Sequence, residues 1–175
     1  MAFLRAINVG GRTVQMTVLR DLFIRLGFAN VETFIASGNV IFETKSTLIP
    51  AIERRIETEI ATELGYEVTT FVRTVEEVAA VANHEAFPPE EAAAGAAFNI
   101  AFTKPAMPEA AREALAALGT GVDRFYVRGT EVYWLCQVKQ SESKFTNAVL
   151  EKVAGVRSTI RTLGTIQKIA EKYRA

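Results

Sequence analysis

Cysteine and histidine are almost missing from this sequence, which contains one of each, Cys136 and His84. A single cysteine cannot form an internal disulfide, and a lone thiol is typical of a reducing compartment. One cysteine and one histidine also exclude the usual zinc sites, and without an aspartate beside His84 a Ser-His-Asp arrangement is not expected. We therefore predict no metal site, no cofactor and no catalytic residue, and a non-enzymatic protein is favoured.

Long apolar runs are lacking as well. No run approaches the ~20 residues that a membrane-spanning helix needs, and the segment Met1–Arg5 has neither the basic region nor the apolar region of a signal peptide. Hydrophobic residues nevertheless make up 49% of the chain, which indicates a globular protein. The sequence predicts a cytoplasmic protein with no membrane partner.

Net charge is also absent, because 20 basic side chains balance 20 acidic ones, but the charge is unevenly spread. Residues 1–31 hold four basic side chains and one acidic one, and residues 139–175 hold eight basic and three acidic. Solvated helix faces account for many such runs. The alternative is a surface, built from the two ends, that attracts anions.

What is present is a repeated pattern of periodicities. In the first part of the chain, apolar runs, helical spacings and Gly-containing turns predict the order βαββαβ. The predicted elements are a strand at 3–7, a helix at 16–26, a hairpin of strands 31–36 and 40–43, a helix at 48–64 and a strand at 66–72. A connecting helix at 74–82 follows, with Thr74 and Glu77 at capping-box spacing.

The same order then recurs without detectable sequence identity. It comprises a strand at 98–103, a helix at 108–118, a hairpin of 122–128 and 131–137, a helix at 143–153, a strand at 158–161 and a final helix around 166–173. We predict an α+β fold of two ferredoxin-like halves packed together, with a C-terminal helix. The predicted boundaries are 1–83 for the first half with its connecting helix, 84–97 for a linker and 98–175 for the second half.

Each such half leaves one sheet face without helices. In the first half this face would carry Phe3, Arg5, Phe71 and Arg73; in the second it would carry Arg124, Tyr126, Arg128, Tyr133 and Arg161. Aromatic side chains mixed with arginine can stack nucleic-acid bases. The alternative is that these faces pack on each other or on a second copy in a homodimer.

Two loops rich in Gly, Asn and Ser are predicted to meet at one sheet edge. In this topology the end of the first strand lies beside the hairpin between strands two and three, which brings Asn8–Gly11 close to Ser37–Asn39. Exposed backbone amides, two asparagine amides and a helix N-terminus near residues 13–16 would form a nest for an anion. Turn geometry alone is the alternative, because tight turns need Gly and Asn.

A second candidate lies near the C-terminus. Ser143 and Lys144 stand at the predicted start of a helix, where a serine can cap the helix or contribute to an anion site.

These motifs resemble the bacterial proteins grouped as domain of unknown function family 1697. Its members show Leu-Arg-Gly-Ile-Asn-Val-Gly-Gly, a Met-x-x-Leu helix, Tyr-Ile-x-Ser-Gly-Asn-Val-x-Phe and a Ser-Lys-Leu-Thr-Asn helix start. This chain matches them at Arg5, Ile7, Asn8, Val9, Gly10, Gly11, Met16, Leu19, Ile35, Ser37, Gly38, Asn39, Val40, Phe42, Ser143, Lys144, Thr146 and Asn147. A further family element, Thr-x-Arg-Asn-Trp-Asn-Thr, keeps only Thr159, Arg161 and Thr165. The resemblance implies two plait-like halves and no established activity.

The leading hypothesis is therefore a binding protein for an anionic small molecule that bears phosphate, or for the backbone of single-stranded nucleic acid. Its predicted ligand-binding residues are Arg5, Asn8, Gly10, Gly11, Ser37, Gly38, Asn39, Ser143, Lys144 and Arg161. One alternative is an enzyme for a small anionic substrate, with Arg5 and Lys144 or Arg161 as electrophilic groups. The other is an interaction scaffold without a small-molecule site.

Overall fold

A computed structural model describes residues 1–8, 11, 13–35 and 38–174. The chain divides into two compact units, Met1–Val75 and Glu76–Ala175. In the described part, no helix combines the length and the apolar character needed to cross a membrane.

The first unit contains a four-stranded antiparallel sheet with two helices. Its elements are β1 (Ala2–Leu4), α1 (Met16–Arg25), β2 (Ala29–Phe34), β3 (Asn39–Glu43), α2 (Ile49–Leu64) and β4 (Thr70–Val72). The strand order is β2-β3-β1-β4, so β3 lies between β1 and β2. The fourfold spacing of Ile52, Ile56 and Ile60 buries one face of α2, and Gly65 ends this helix at φ 75°.

The second unit repeats this topology and adds helices. Its elements are α3 (Val75–Ala82, which begins at the boundary), α4 (Pro89–Ala94), β5 (Ala97–Thr103), α5 (Glu109–Ala117), β6 (Asp123–Arg128), β7 (Glu131–Cys136), α6 (Asn147–Ala154), β8 (Ser158–Thr162) and α7 (Leu163–Lys172). The strand order β6-β7-β5-β8 matches that of the first sheet. The predicted fold of two ferredoxin-like halves with a C-terminal helix is confirmed.

One backbone hydrogen bond recurs at the same place in both units. The amide of Leu4, at the end of β1, donates to the carbonyl of Gly38 before β3 at 2.8 Å. Its counterpart joins the amide of Thr103, at the end of β5, to the carbonyl of Thr130 before β7 at 2.8 Å. The end of the first strand and the hairpin therefore meet in each half.

The segment predicted as a linker, 84–97, packs against the second sheet. The rings of His84 and Tyr133 make an edge-to-face contact with centroids 5.1 Å apart, and Phe87 contacts Phe98 in the same way at 5.5 Å. Glu91 forms an ion pair with Arg124 of β6. The compact units accordingly divide at residues 75 and 76, and α3 groups with the second half, whereas the predicted first half ran to 83.

Helix α6 begins four residues later than the sequence pattern predicts. Thr146 is its N-cap, and the Thr146 hydroxyl accepts a hydrogen bond from the amide of Val149 at 3.3 Å. Ser143 instead ends a short 3-10 helix at Gln140–Glu142. The prediction that Ser143 caps this helix is therefore wrong, because Thr146 takes that position.

Candidate functional site

The β1–α1 loop and the β2–β3 hairpin meet in the first unit through Gly38. Besides the bond from Leu4, the backbone of Gly38 lies so close that a Cβ there would be 2.7 Å from Cγ2 of Ile7. The φ of Gly38 is 71°, in the left-handed region that favours glycine. Of the predicted loop residues, Gly10 and Ser37 lie outside the described residues.

The β1–α1 loop is held in place from two sides. Oδ1 of Asn8 accepts a hydrogen bond from the amide of Val14 at 2.7 Å. The hydroxyl of Tyr66 donates to the carbonyl of Ile7 at 3.1 Å. These contacts fix the path of the backbone between β1 and α1, so the described ends of this loop are ordered before any ligand arrives.

Asn39 stabilises the hairpin from inside. Its side chain is 1% exposed, and Nδ2 donates to the carbonyl of Phe34 at 3.1 Å. A ligand on the loop surface would therefore contact the backbone of this hairpin more readily than it would contact the side-chain amide of Asn39. The sequence hypothesis had this amide facing a ligand.

The start of α1 offers donors at the same edge of the sheet. Its N-cap residue, Gln15, makes no side-chain cap hydrogen bond, and no acidic residue lies in the first turn. The first-turn amides therefore point outward with the positive end of the helix dipole. Gly11 is exposed with φ 79°, and Arg5 is half-buried at the end of β1.

Ser143 is engaged with a carboxylate in the second unit. Its hydroxyl lies 2.8 Å and 2.9 Å from the two carboxylate oxygens of Asp123, and Nε1 of Trp134 donates to Oδ1 of Asp123 at 2.7 Å. Cys136 lies beside this network, and burial raises the pKa of its thiol. Because the partner of Ser143 is an anion, this position repels a second anion. The neighbouring Lys144 is exposed.

Arg161 lies elsewhere in the same unit. Its Nη1 donates to the hydroxyl of Thr159 at 2.9 Å and to the carbonyl of Ile160 at 2.8 Å. Burial lowers the pKa of Arg161 to about 10, so the group stays charged near neutral pH. β8 and β6 form opposite edges of the sheet. The structure therefore does not bring Arg161 together with Ser143, which contacts Asp123 on β6.

The aromatic sheet faces do not form open stacking platforms. Phe3, Phe71 and Tyr133 are each 0% exposed, which leaves no ring surface for a base. Only Tyr126 retains substantial exposure among the predicted aromatic residues, at 42%. The base-stacking alternative is therefore wrong for the three buried rings, and recognition of nucleic acid through them is excluded.

The burial of Tyr133 predicts a pH effect on stability. Burial, and next the charge of Glu131, raises the pKa of Tyr133 from its ordinary value of 10 to about 12. The folded chain therefore keeps this proton between pH 10 and pH 12 while the unfolded chain loses it. The stabilisation is complete below pH 10, and about 2 kcal/mol is lost as the pH rises toward 12.

Tyr133→Phe tests this effect, because phenylalanine cannot ionise. We expect urea unfolding across this pH range to show a smaller loss of stability for Tyr133→Phe than for the natural chain. All other groups titrate in both proteins, so the difference isolates Tyr133. If the unfolding free energies of the two proteins fall equally between pH 10 and pH 12, the prediction is contradicted.

Sequence reasoning missed two polar features. One is the buried Asp123 network; the other is a cleft of about 590 Å³ lined by Glu57, Thr58, Ala61, Thr62, Glu67, Val68 and Thr69. Threonines and glutamates spaced along α2 carry no signal that distinguishes such a cleft from a solvated helix face. Across the described ranges, no group of three or more His, Cys, Asp or Glu side chains is placed to hold a metal ion.

A comparison with models of known protein families assigns the chain to one of them. Residues 1–133 match the family described as "Protein of unknown function (DUF1697)". The chain belongs to this family. The resemblance inferred from the loop motifs is therefore confirmed, and the family brings no assigned activity.

The fold is shared, across nearly the whole length of the chain, with a solved bacterial structure. The conserved bacterial protein SP0830 from Streptococcus pneumoniae is 23% identical, with a TM-score of 0.69 over 97% of this chain and 95% of that one. At this identity the likeness shows the fold alone. A comparison with curated proteins gave no match.

Proposed function

We propose that this protein binds a phosphate-bearing ligand without catalysis at the junction of Asn8, Gly11, Gly38 and the start of α1, hereafter the loop junction. The carrying observation is the hydrogen bond from Leu4 to Gly38, which places the hairpin beside the β1–α1 loop. The uncapped first turn of α1 supports an anion as the ligand. A phosphate would accept hydrogen bonds from the outward amides.

The character of the junction argues for binding over chemistry. Asn8, Gly11, Gly38 and Arg5 include no side chain that acts as a general base near neutral pH. The contacts from Val14 to Asn8 and from Tyr66 to Ile7 hold the loop in position, which lowers the ordering cost of binding. Because the aromatic residues are buried, we expect the protein to recognise its ligand by contacts with the phosphate and not by stacking on bases.

A titration with inorganic phosphate, followed by a single-stranded oligothymidylate, tests the proposal. We expect the amide NMR signals of Thr17 and Val18, in the first turn of α1, to shift with both probes. Binding of the oligonucleotide should weaken steeply with salt, because phosphate contacts release counterions. Unchanged first-turn amides at low salt would overturn the proposal.

Gly11→Asp and Gly27→Asp form a matched pair of variants. Both glycines have φ 79°, and among the described residues a Cβ at either position meets nothing within 4 Å, so both substitutions carry the same backbone strain. A carboxylate at residue 11 competes with the ligand for the positive end of α1, and we expect affinity for phosphate to fall at least ~10-fold, from the loss of about 1.4 kcal/mol. At residue 27, beyond the other end of α1, affinity should not change. Equal affinities for the two variants would contradict a site at the loop junction.

A further inference from the structure

Both β4 and β8, the edge strands that end the two halves, are covered by side chains from helices. In the first sheet, Glu53 and Glu57 of α2 accept hydrogen bonds from the amides of Val72 and Thr70, each at 2.8 Å. In the second sheet, Glu151 of α6 accepts one from the amide of Ser158 at 2.8 Å. Carboxylates satisfy outward amides that would otherwise pair with another strand.

The remaining edge of the first sheet is irregular. Pairing of β2 with β3 shifts register between Ala29 and Glu32, and Asn30 has φ 48°. Nε of Arg20 donates to the outward carbonyl of Val31 at 3.1 Å. A bulge and a covering side chain both discourage addition of a strand.

β6 has neither kind of protection along its centre. It pairs with β7 over six residues without a register shift. Asp123 exchanges hydrogen bonds with Thr120, through its amide at 3.0 Å and its carbonyl at 2.8 Å, so its backbone groups face away from β7. By alternation, Phe125 and Val127 face the same way. Within the described part of the chain, the outward amides and carbonyls of these two residues have no hydrogen-bond partner.

We propose that β6 pairs antiparallel with β6 of a second copy of this chain, about a two-fold axis through Tyr126. This register sets Phe125 opposite Val127 of the second copy, and Val127 opposite its Phe125. Each such pair exchanges two hydrogen bonds, so all four open groups of each copy are satisfied at once. The interface is independent of the anion site proposed above.

Side chains on both faces of β6 suit the same register. On one face, Tyr126 is 42% exposed and would pack on its symmetry mate in a closely spaced pair. Beside β6, a cavity of about 310 Å³ is lined by residues 125–127 and by residues 109, 112, 113 and 116 of α5. The phenylalanine and valine of the second copy would lie beside this cavity, on the same face of the joined sheet.

Charges do not oppose the pairing. The register sets Arg124 opposite Arg128 of the second copy, but each arginine has a carboxylate beside it. Glu91 forms an ion pair with Arg124, and Glu131 lies opposite Arg128 on β7. The four groups therefore sum to zero charge.

Sedimentation equilibrium on the full chain tests the dimer. The natural chain should associate reversibly. Val127→Pro removes an outward amide that the β7 ladder does not use, an arrangement that edge strands tolerate. Because the two-fold axis doubles the loss to two hydrogen bonds, the dissociation constant should rise roughly 30-fold. Val127→Thr keeps the amide and should dimerise normally.

Disulfide trapping tests the register and does not depend on the proline variant folding. Tyr126→Cys places two thiols directly opposite each other across the axis, at a spacing that permits a disulfide. Arg128→Cys places them far apart. The only natural cysteine, Cys136, is buried. We expect a covalent dimer from Tyr126→Cys under mild oxidation and none from Arg128→Cys.

Two results would overturn the proposal. In the first, the natural chain stays monomeric at all concentrations and the Tyr126→Cys variant gives no covalent dimer. The edge of β6 would then be open to a different protein partner. The second is a dimer that Val127→Pro leaves intact and that Arg128→Cys traps equally well, which would place the interface elsewhere.

Discussion

Replacing Gly38 with valine is expected to destabilise the protein by roughly 2–5 kcal/mol. The substitution forces an L side chain into φ 71°, and its Cβ would lie 2.7 Å from Cγ2 of Ile7 and 3.1 Å from Cβ of Leu4. Leu4 and Ile7 are buried, so neither can move without disturbing the core. The strain and the overlap therefore add.

Gly27→Val is the matched control in urea denaturation. Gly27 has φ 79° but no atom within 4 Å of a Cβ, so its substitution carries only the backbone strain, about 1–2 kcal/mol. Equal losses of unfolding free energy for the two variants would show that the hairpin shifts to make room for the added side chain. A larger loss for Gly38→Val would establish the close packing of hairpin against loop.

The topology was predictable because helices and strands here have clean periodicities and clear ends. The isoleucines of α2 recur every fourth residue and Gly65 follows. This pattern determines which face of the helix is buried and where the helix ends. Gly129 and Thr130 leave a two-residue connection between two β-rich runs, which fixes a hairpin. Together these local features determine βαββαβ twice over.

Local sequence pattern predicted the wrong start for α6, because a residue distant in the chain decides which of two suitable residues caps the helix. Ser143 and Thr146 are both good helix caps, and the sequence between them offers no reason to choose. Asp123, twenty residues earlier in the chain, holds the Ser143 hydroxyl, so Thr146 begins α6. Local pattern also gave no sign that the segment 84–97 packs on the second sheet. Its Pro, Ala and Glu content is typical of a linker, but His84 and Phe87 find aromatic partners on the second sheet.

The candidate site was predictable to the level of which loops meet. Strand order alone places the β1–α1 loop beside the hairpin. The direction of an asparagine side chain is not determined at that level, because Asn39 faces the interior or the surface according to the pairing register of β3 with β2. The observed pairing of Phe34 with Asn39 turns that amide inward.

Removal of the Asp123 carboxylate should have the other large effect, roughly 3 kcal/mol of lost stability. Asp123→Ala leaves Nε1 of Trp134 and the hydroxyl of Ser143 without their acceptor. Trp134 is 1% exposed, so its indole N–H has no access to water as a substitute. Asp123→Asn keeps one acceptor oxygen and should lose less.

A double-mutant cycle with Trp134→Phe separates the hydrogen bond from the packing of the ring. If the Asp123–Trp134 bond carries the effect, Asp123→Ala should be less damaging in the Trp134→Phe background, because no indole N–H is left unsatisfied. The chain contains a single tryptophan, so fluorescence follows unfolding wherever Trp134 is present, and circular dichroism serves all four proteins. Additive losses would contradict the coupling and assign the stabilisation to the Ser143 contact, which holds the segment before α6 against β6.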